Sequence, residues 1–276
     1  MKFNLDNETT LTDFHYLVSG ASGTGKTSLL LMMILEIALE QYKNKKWRYD
    51  AYKNILIVDP KKSSLYSLRH CFPKDGIDNV VYDAEGAIKL LQRANDQIEI
   101  RGALFDNEYV SMYANFTDLG LAPFYIIVDE VLDLISTAKS EKLDKEINRL
   151  LLSLITRGRQ CGVFCVLGII RSDTTFLSGA IRSTMTKILL ADQGREPDAD
   201  GTRMLFGTAK LPKKQANMRY WFYMMGETGT PTLHLTPHLD EKVDVRKTLK
   251  KLLSYFTYAP ARTVVPVTIT YDGEII

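Results

Sequence analysis

Residues 14–30 read "FHYLVSGASGTGKTSLL". An apolar strand-like run passes through a glycine-rich turn into an apolar helix-like run, and that order decides the fold. From Gly20, four residues separate the first glycine from Gly25, Lys26 and Thr27, which completes the phosphate-loop pattern G-x-x-x-x-G-K-[ST]. Each residue type has a reason. Gly20, Gly23 and Gly25 allow the tight turn that aims successive backbone N–H groups of Ala21, Ser22, Thr24 and their neighbours at an anion. Lys26 is expected to reach the β- and γ-phosphates of a nucleotide, Thr27 to offer its hydroxyl to Mg²⁺, and Ser28 to start the helix whose N-terminus faces the phosphates. A surface turn matching by chance would lack the flanking strand and helix.

Composition sets outer bounds. The 276 residues are 45% hydrophobic, enough for one elaborated domain with a sizeable core. A formal net charge of +2 gives no strong field, so any nucleic-acid contact must be local. Cys71, Cys161 and Cys165 form no C-x-x-C pair; they suit a reducing compartment and read as core. The longest apolar candidate, Leu29 to Leu39, is interrupted by Glu36 and falls short of a membrane span, and the first residues carry no apolar signal region. These features lead us to expect a cytoplasmic protein without a transmembrane segment of its own.

Strand-like runs recur at 14–19, 54–59, 79–83, 124–130, 162–170 and 186–192, with helical stretches between most of them. That alternation predicts an α/β fold with a mainly parallel central sheet flanked by helices. The runs at 124–130 and 162–170 are continuously apolar, as strands buried on both faces are. "RYWFYMM" (219–225) and "TPTLHL" (230–235), joined by "GETG", predict an antiparallel edge hairpin. Residues 136–155 read as one amphipathic helix leading to Arg157. The expected division is a motor domain over 1–246 and a C-terminal helix and strand extension over 247–276, where "ARTVVPVTITYDGEII" is strand-like.

The second chemical element is "FYIIVDE", an apolar strand ending in Asp129 and Glu130. In phosphate-loop ATPases the carboxylate ending such a strand holds Mg²⁺ through water, and a following glutamate polarises the attacking water. An Asp-Glu pair that merely opens a helix is the bland alternative. A small-molecule kinase often lacks the second carboxylate, because its nucleophile is a substrate hydroxyl; Glu130 therefore favours ATP hydrolysis.

Residues 156–194 resemble the signature region of the FtsK/SpoIIIE DNA-pumping ATPases, within the wider FtsK–HerA group. Arg159 and Gly162 stand at its R-x-x-G turn, followed by an apolar strand, Arg171 and "GAIRSTMTKIL". "IVDPKKSSLYSL", with Asp59, Pro60 and Lys61, is similar to the family's D-P-K segment, and "TRMLFG" (202–207) to its L-G/F-G turn. The resemblance spans roughly 14–236 and is nearest the small conjugation-associated branch of Gram-positive mobile elements. It implies a RecA-like P-loop NTPase fold, ATP and Mg²⁺ as ligands, and a ring, expected to be a hexamer, around double-stranded DNA. An arginine from the neighbouring subunit would complete each site; Arg157, Arg159 and Arg171 are the candidates, Arg159 the best aligned, with Arg182 and Arg203 weaker. Two departures stand out: Ile170 where the family has glutamine, and Ser172 where it has proline. An isoleucine offers no hydrogen bond to a phosphate or to water. The family's membrane anchor and winged-helix module find no match, so tethering and polarity reading would fall to partners such as a relaxase or membrane-anchored transfer or packaging proteins.

Candidate DNA contacts are Lys210, Lys213, Lys214 and Arg219, in a loop before the hairpin; a solvated surface loop is the plainer account. A second basic stretch, "YKNKKWRYD" (42–50), fits the outside of a ring. Three functions stay open: a DNA translocase, a nucleotide-dependent docking or assembly protein with weak hydrolysis, and, disfavoured by Glu130, a small-molecule kinase.

Overall fold

The computed structural model describes residues 10–12, 14–44, 47, 51–170, 179–194, 196–214, 218–226, 229–237, 239 and 243–254, and the backbone alone at 3–4. In chain order the elements are β1 (Phe3–Asn4), β2 (Thr10–Leu11), β3 (Tyr16–Ser19), α1 (Lys26–Lys43), β4 (Ile55–Val58), β5 (Val80–Val81), α2 (Ala84–Gly102), β6 (Phe124–Val128), α3 (Val131–Ser140), α4 (Asp144–Cys161), β7 (Val163–Ile169), α5 (Gly179–Ser183), β8 (Thr186–Asp192), α6 (Ala199–Phe206), β9 (Tyr220–Met225), β10 (Thr232–Leu235) and α7 (Val245–Leu253). β1 and β2 form a small antiparallel pair that the sequence pattern did not announce.

The main sheet has eight strands in the order β5-β4-β6-β7-β3-β8-β9-β10. Pairing is parallel from β5 to β8. β9 and β10 add an antiparallel edge, as expected. The strand leading into the phosphate loop, β3, and the strand carrying the acidic pair, β6, are not neighbours; β7 lies between them.

The continuous apolar runs resolve into two alternating faces, as side-chain direction along a strand requires. Leu17, Leu56, Val58, Ile126, Val128, Cys165 and Leu167 pack with the apolar sides of α2, α3 and α4. Tyr16, Val18, Ile55, Ile57, Tyr125, Ile127, Phe164 and Val166 pack with α1 and α7. Both layers are therefore specified by one set of strands with no polar face to spare, which is the signature of a doubly covered parallel sheet.

Residues 136–155 are not one helix. α3 stops at Ser140 in a Schellman turn: Lys142 takes φ 63°, its N–H bonds to Lys139 O at 3.2 Å, and Leu143 N–H reaches Ala138 O at 2.8 Å. A lysine in the left-handed position hides this stop from a reading that looks for Gly, Asn or Pro. α4 in turn ends at Gly162, φ 69°, so the glycine of R-x-x-G is a helix stop and Arg159 lies in the last turn.

The division expected after residue 246 falls inside α7. Leu249 and Leu253 are fully buried in the layer that holds α1. The Cys71 thiol contacts Arg246 O at 3.5 Å, and Arg246 Nη2 donates to Ser67 Oγ at 3.0 Å. The strand-like stretch over 261–276 lies outside the described residues. Since α7 completes the core, Leu249→Ala is expected to cost about 2–5 kcal/mol. Denaturant unfolding measures this; a loss under about 0.5 kcal/mol, the size of an ordinary surface substitution, would make α7 an appendage.

Candidate functional site

Gly20 N–H bonds to Ile169 O at 3.1 Å, fixing where the chain leaves β3. A Cβ on Gly20 would come within 2.5 Å of Thr24 Oγ1. The Thr24 hydroxyl instead donates to Ala21 O at 2.8 Å, closing the loop on itself. Gly23 and Gly25 have φ of 90° and 92°, values that ordinary side chains resist. Gly25 caps α1 with no side-chain bond, so the first N–H groups of the helix keep their capacity for an anion.

Lys26, only 6% exposed, does not lie free beneath the loop. Its Nζ is 3.2 Å from Asp129 Oδ1 and donates to Glu130 Oε1. Two consecutive strand residues would point to opposite faces. The chain avoids this by leaving β6 at Val128 and placing Glu130 in a left-handed conformation, φ 51° and ψ 53°. That geometry costs a non-glycine residue about 1–2 kcal/mol, and in exchange both carboxylates converge on one ammonium. Glu130 also begins α3, so the bland account of the pair is true as well: the same residue opens the helix and faces the lysine.

Three further residues support this arrangement; Asp59 and Lys61 entered the sequence reading only as part of a family motif, and Gly168 not at all. Gly168, on β7, faces Asp129; a Cβ there would come within 2.8 Å of Asp129 Oδ1. Asp59 is fully buried and accepts from Lys61 N, Ser63 N, Ser63 Oγ and Tyr66 N at 2.8–3.2 Å. The loop so tied delivers Lys61 Nζ to 3.4 Å from Glu130 Oε1. The signal for Asp59 was present, since an aspartate before Pro at a strand end is a turn former; Gly168 carried none. Burial pushes the Asp129 carboxyl above its ordinary range, while Lys26 pulls it back and Glu130 and Asp59 add to the rise.

A cavity of about 380 Å³ runs over this cluster, lined by the loop from Ala21 to Ser28 together with Lys61, Ser63, Asp129, Glu130 and Ile170. Ile170, which stands where the family resemblance expects glutamine, lines this cavity, and its side chain can offer it no hydrogen bond. Arg171 and Ser172 lie outside the described residues. Arg159 is elsewhere: its guanidinium sits 4.7 Å from the Phe14 ring centroid, at the end of β3 opposite Gly20. Arg157 pairs with Glu99, Arg182 donates to Met204 O, and Arg203 pairs with Asp200. A cavity of about 890 Å³ has Arg157 and Arg159 in its lining and includes no phosphate-loop residue.

No family model matches the chain. Over 212 residues, 75% of its length, it is 27% identical to the Ftsk domain-containing protein YdcQ of Bacillus subtilis strain 168. The chain is thus similar to an FtsK-domain protein and spans 40% of that relative's length. Among solved structures, it superposes on the pCW3 conjugation coupling protein TcpA, in its monomer form with ATPgS, with TM-score 0.65 and 17% identity, covering 88% of this chain and 67% of that one. The cytoplasmic domain of the Type VII secretion ATPase EccC from Thermomonospora curvata gives TM-score 0.60 and 18% identity over 91% of this chain and 30% of that one. The shared feature is the P-loop ATPase fold expected from the sequence.

The candidate DNA contacts are exposed, but not equivalent. Lys214 pairs with Glu196 and lies 4.5 Å from the Trp221 ring centroid; Arg219 lies 5.3 Å from the Tyr220 ring centroid. The cysteines are buried as expected; Cys161 ends α4, and Cys165 N–H bonds to His15 Nδ1 at 3.1 Å. Burial, reinforced by Arg159, lowers the His15 pKa to about 4. Among the described residues no helix is long and apolar enough to cross a membrane.

The raised Asp129 carboxyl makes a signed prediction. Between its ordinary value of 3.8 and its higher native value, the folded state binds more protons than the unfolded one, so stability falls as pH rises through that window. Asp129→Asn removes this contribution and leaves Lys26 paired with Glu130. Denaturant unfolding at a series of pH values should show the variant gaining on wild type as pH rises through the window and then levelling off. A difference that stays flat or reverses would contradict the assignment.

Proposed function

We propose that the chain is an ATP-driven motor that moves double-stranded DNA during transfer, segregation or packaging of a mobile element, working as a ring of copies. The observation that carries this reading is the buried Lys26 held by Asp129 and Glu130 beneath an intact phosphate loop. Lys26, Thr27, Asp129 and Glu130 together support a hydrolytic site. The likeness to a conjugation coupling protein and to an FtsK-domain protein supports the choice of DNA transfer as the work done.

On ATP binding, Lys26 leaves the carboxylates for the β- and γ-phosphates, where the loop N–H groups already point. Glu130, released from Lys26, orients a water and takes its proton as the oxygen attacks the γ-phosphorus. The bond from that phosphorus to the bridging oxygen breaks, giving ADP and inorganic phosphate. Among the described residues there is no cluster of three or more His, Cys, Asp or Glu side chains that could hold a metal alone. Mg²⁺ fits that finding, because it is commonly held by one or two carboxylates plus substrate phosphates; Thr27 and Asp129 would hold it, and it would neutralise phosphate charge. Exposed Lys210 and Lys213 are the better placed of the loop lysines to meet a DNA backbone, since Lys214 is already paired. Arg159 would act on a neighbouring copy's nucleotide, where such an arginine raises the rate about 10³- to 10⁵-fold in the GTPase cases.

One observation favours a second reading, a docking or assembly ATPase with weak hydrolysis: Ile170 lines the cavity and can sense neither phosphate nor water.

Steady-state ATP hydrolysis with and without long linear duplex DNA, against Lys26→Ala as blank, separates the two. A motor is stimulated strongly by duplex; turnover indifferent to DNA leaves the docking protein. Glu130→Gln should retain ATP binding and lose about 10²- to 10⁴-fold in turnover, the usual contribution of a general base. Turnover near wild type would remove Glu130 from the mechanism.

A further inference from the structure

Glu130 meets two lysines, and both approach the same oxygen. Lys26 Nζ donates to Oε1, and Lys61 Nζ lies 3.4 Å from that Oε1. The two cations differ in setting. The Lys26 side chain is 6% exposed and belongs to the buried cluster, whereas the Lys61 side chain is 46% exposed. An ion pair with one partner so open to solvent contributes little to stability. Its placement therefore calls for a reason other than holding the fold.

The backbone supplies that placement. Asp59 accepts from Lys61 N at 3.2 Å, from Ser63 N at 2.8 Å and from Tyr66 N at 2.9 Å, and Lys62 N bonds to Asp59 O at 3.0 Å. Lys62 takes a left-handed φ of 52°, and its ammonium lies 3.7 Å from the Tyr82 ring centroid. Two consecutive lysines are thus sent to different places. Lys62 covers an aromatic ring just after β5, and Lys61 lines the cavity over the phosphate loop. Among the described residues in that lining, Lys26 and Lys61 are the cationic side chains, and Ile170 offers no hydrogen bond.

We propose that Lys61 is a positioning residue for Glu130, the general base. When Lys26 goes over to phosphate, Lys61 keeps its hold on Oε1. The carboxylate then stays aimed into the cavity, and Oε2 is left to accept from the attacking water. A carboxylate that has lost both cations turns freely about its side-chain torsions, and a misplacement of about 1 Å can cost about 100-fold in rate. Lys61 touches neither phosphate nor water in this role; it acts through Glu130. The inference rests on the hydrolytic reading of the site.

Single-turnover ATP hydrolysis with enzyme in excess, which follows slow variants, tests this in the presence of Mg²⁺ and long linear duplex DNA. Calorimetry measures ATP binding by the same proteins: wild type, Lys61→Met, Lys61→Arg, Lys62→Met and Glu130→Gln, with Lys26→Ala as blank. Lys61→Met should slow hydrolysis about 10- to 100-fold with ATP affinity and the unfolding midpoint unchanged, and Lys61→Arg should recover to within about threefold of wild type. Lys62→Met removes the same charge from the same loop and should stay within about twofold. Combined with Glu130→Gln, Lys61→Met should add less than about threefold, because the group it positions is already gone. Hydrolysis undiminished in Lys61→Met, a matching loss of ATP affinity, no recovery with arginine, or the full loss repeated beside Glu130→Gln would each overturn the role of Lys61 and leave the hydrolytic reading standing. Wild type no faster than Lys26→Ala would overturn both.

Discussion

Lys26 lies between Asp129 and Glu130, and much of the molecule serves to bring these three groups together. A buried ammonium without partners is costly, and two buried carboxylates without a cation are worse; removing one member of such a pair typically costs about 3–5 kcal/mol. The cluster therefore ties the start of α1 to the end of β6 across an intervening strand. It also stores the site's charges in balance. Lys26 would leave only for equal or better anionic partners, and its departure would leave Glu130 beside Lys61. The left-handed backbone at Glu130 makes sense in these terms, since without it one carboxylate would face the opposite layer.

The sheet order makes that cluster possible. With β7 between β3 and β6, the phosphate loop and the acidic pair stand one strand apart, leaving a gap above β7 that must stay open. Gly168 keeps it open. Any side chain there would occupy the place of Asp129 Oδ1, so a residue with no chemistry of its own sets the spacing of the residues that have it. Asp59 plays a similar part from the other flank, spending its charge on the backbone of the loop that delivers Lys61.

How much of this was legible in the sequence depended on the range of the interaction involved. The strands, the phosphate loop and the edge hairpin follow from local pattern and turn chemistry, and they form where that pattern puts them. The break between α3 and α4 was also local, but it used Lys142 in a role that Gly or Asn usually fills, so residue type concealed it. Gly168 was hidden for another reason. Its role exists only once β6 and β7, about forty residues apart in sequence, lie side by side, and no local window holds that information. Asp59 binds the backbone of the residues just after it, a local role; what no local window holds is that the loop so tied brings Lys61 to Glu130.

The arginines show where chain and assembly part company. Arg159 sits at the end of β3 that faces away from the phosphate loop, stacked on Phe14. β3 separates that end from the phosphate loop that follows Ser19, so Arg159 is not part of the Lys26 cluster of its own chain. The same helix turn that sends it there is fixed by Gly162 and by Gly158, where a Cβ would come within 2.1 Å of Val163 O. Its orientation is thus set by close packing rather than by its charge. Arg159 itself is exposed, so what the fold contributes is a fixed direction for the helix turn that carries it, at the end of the sheet away from the phosphate loop of its own chain.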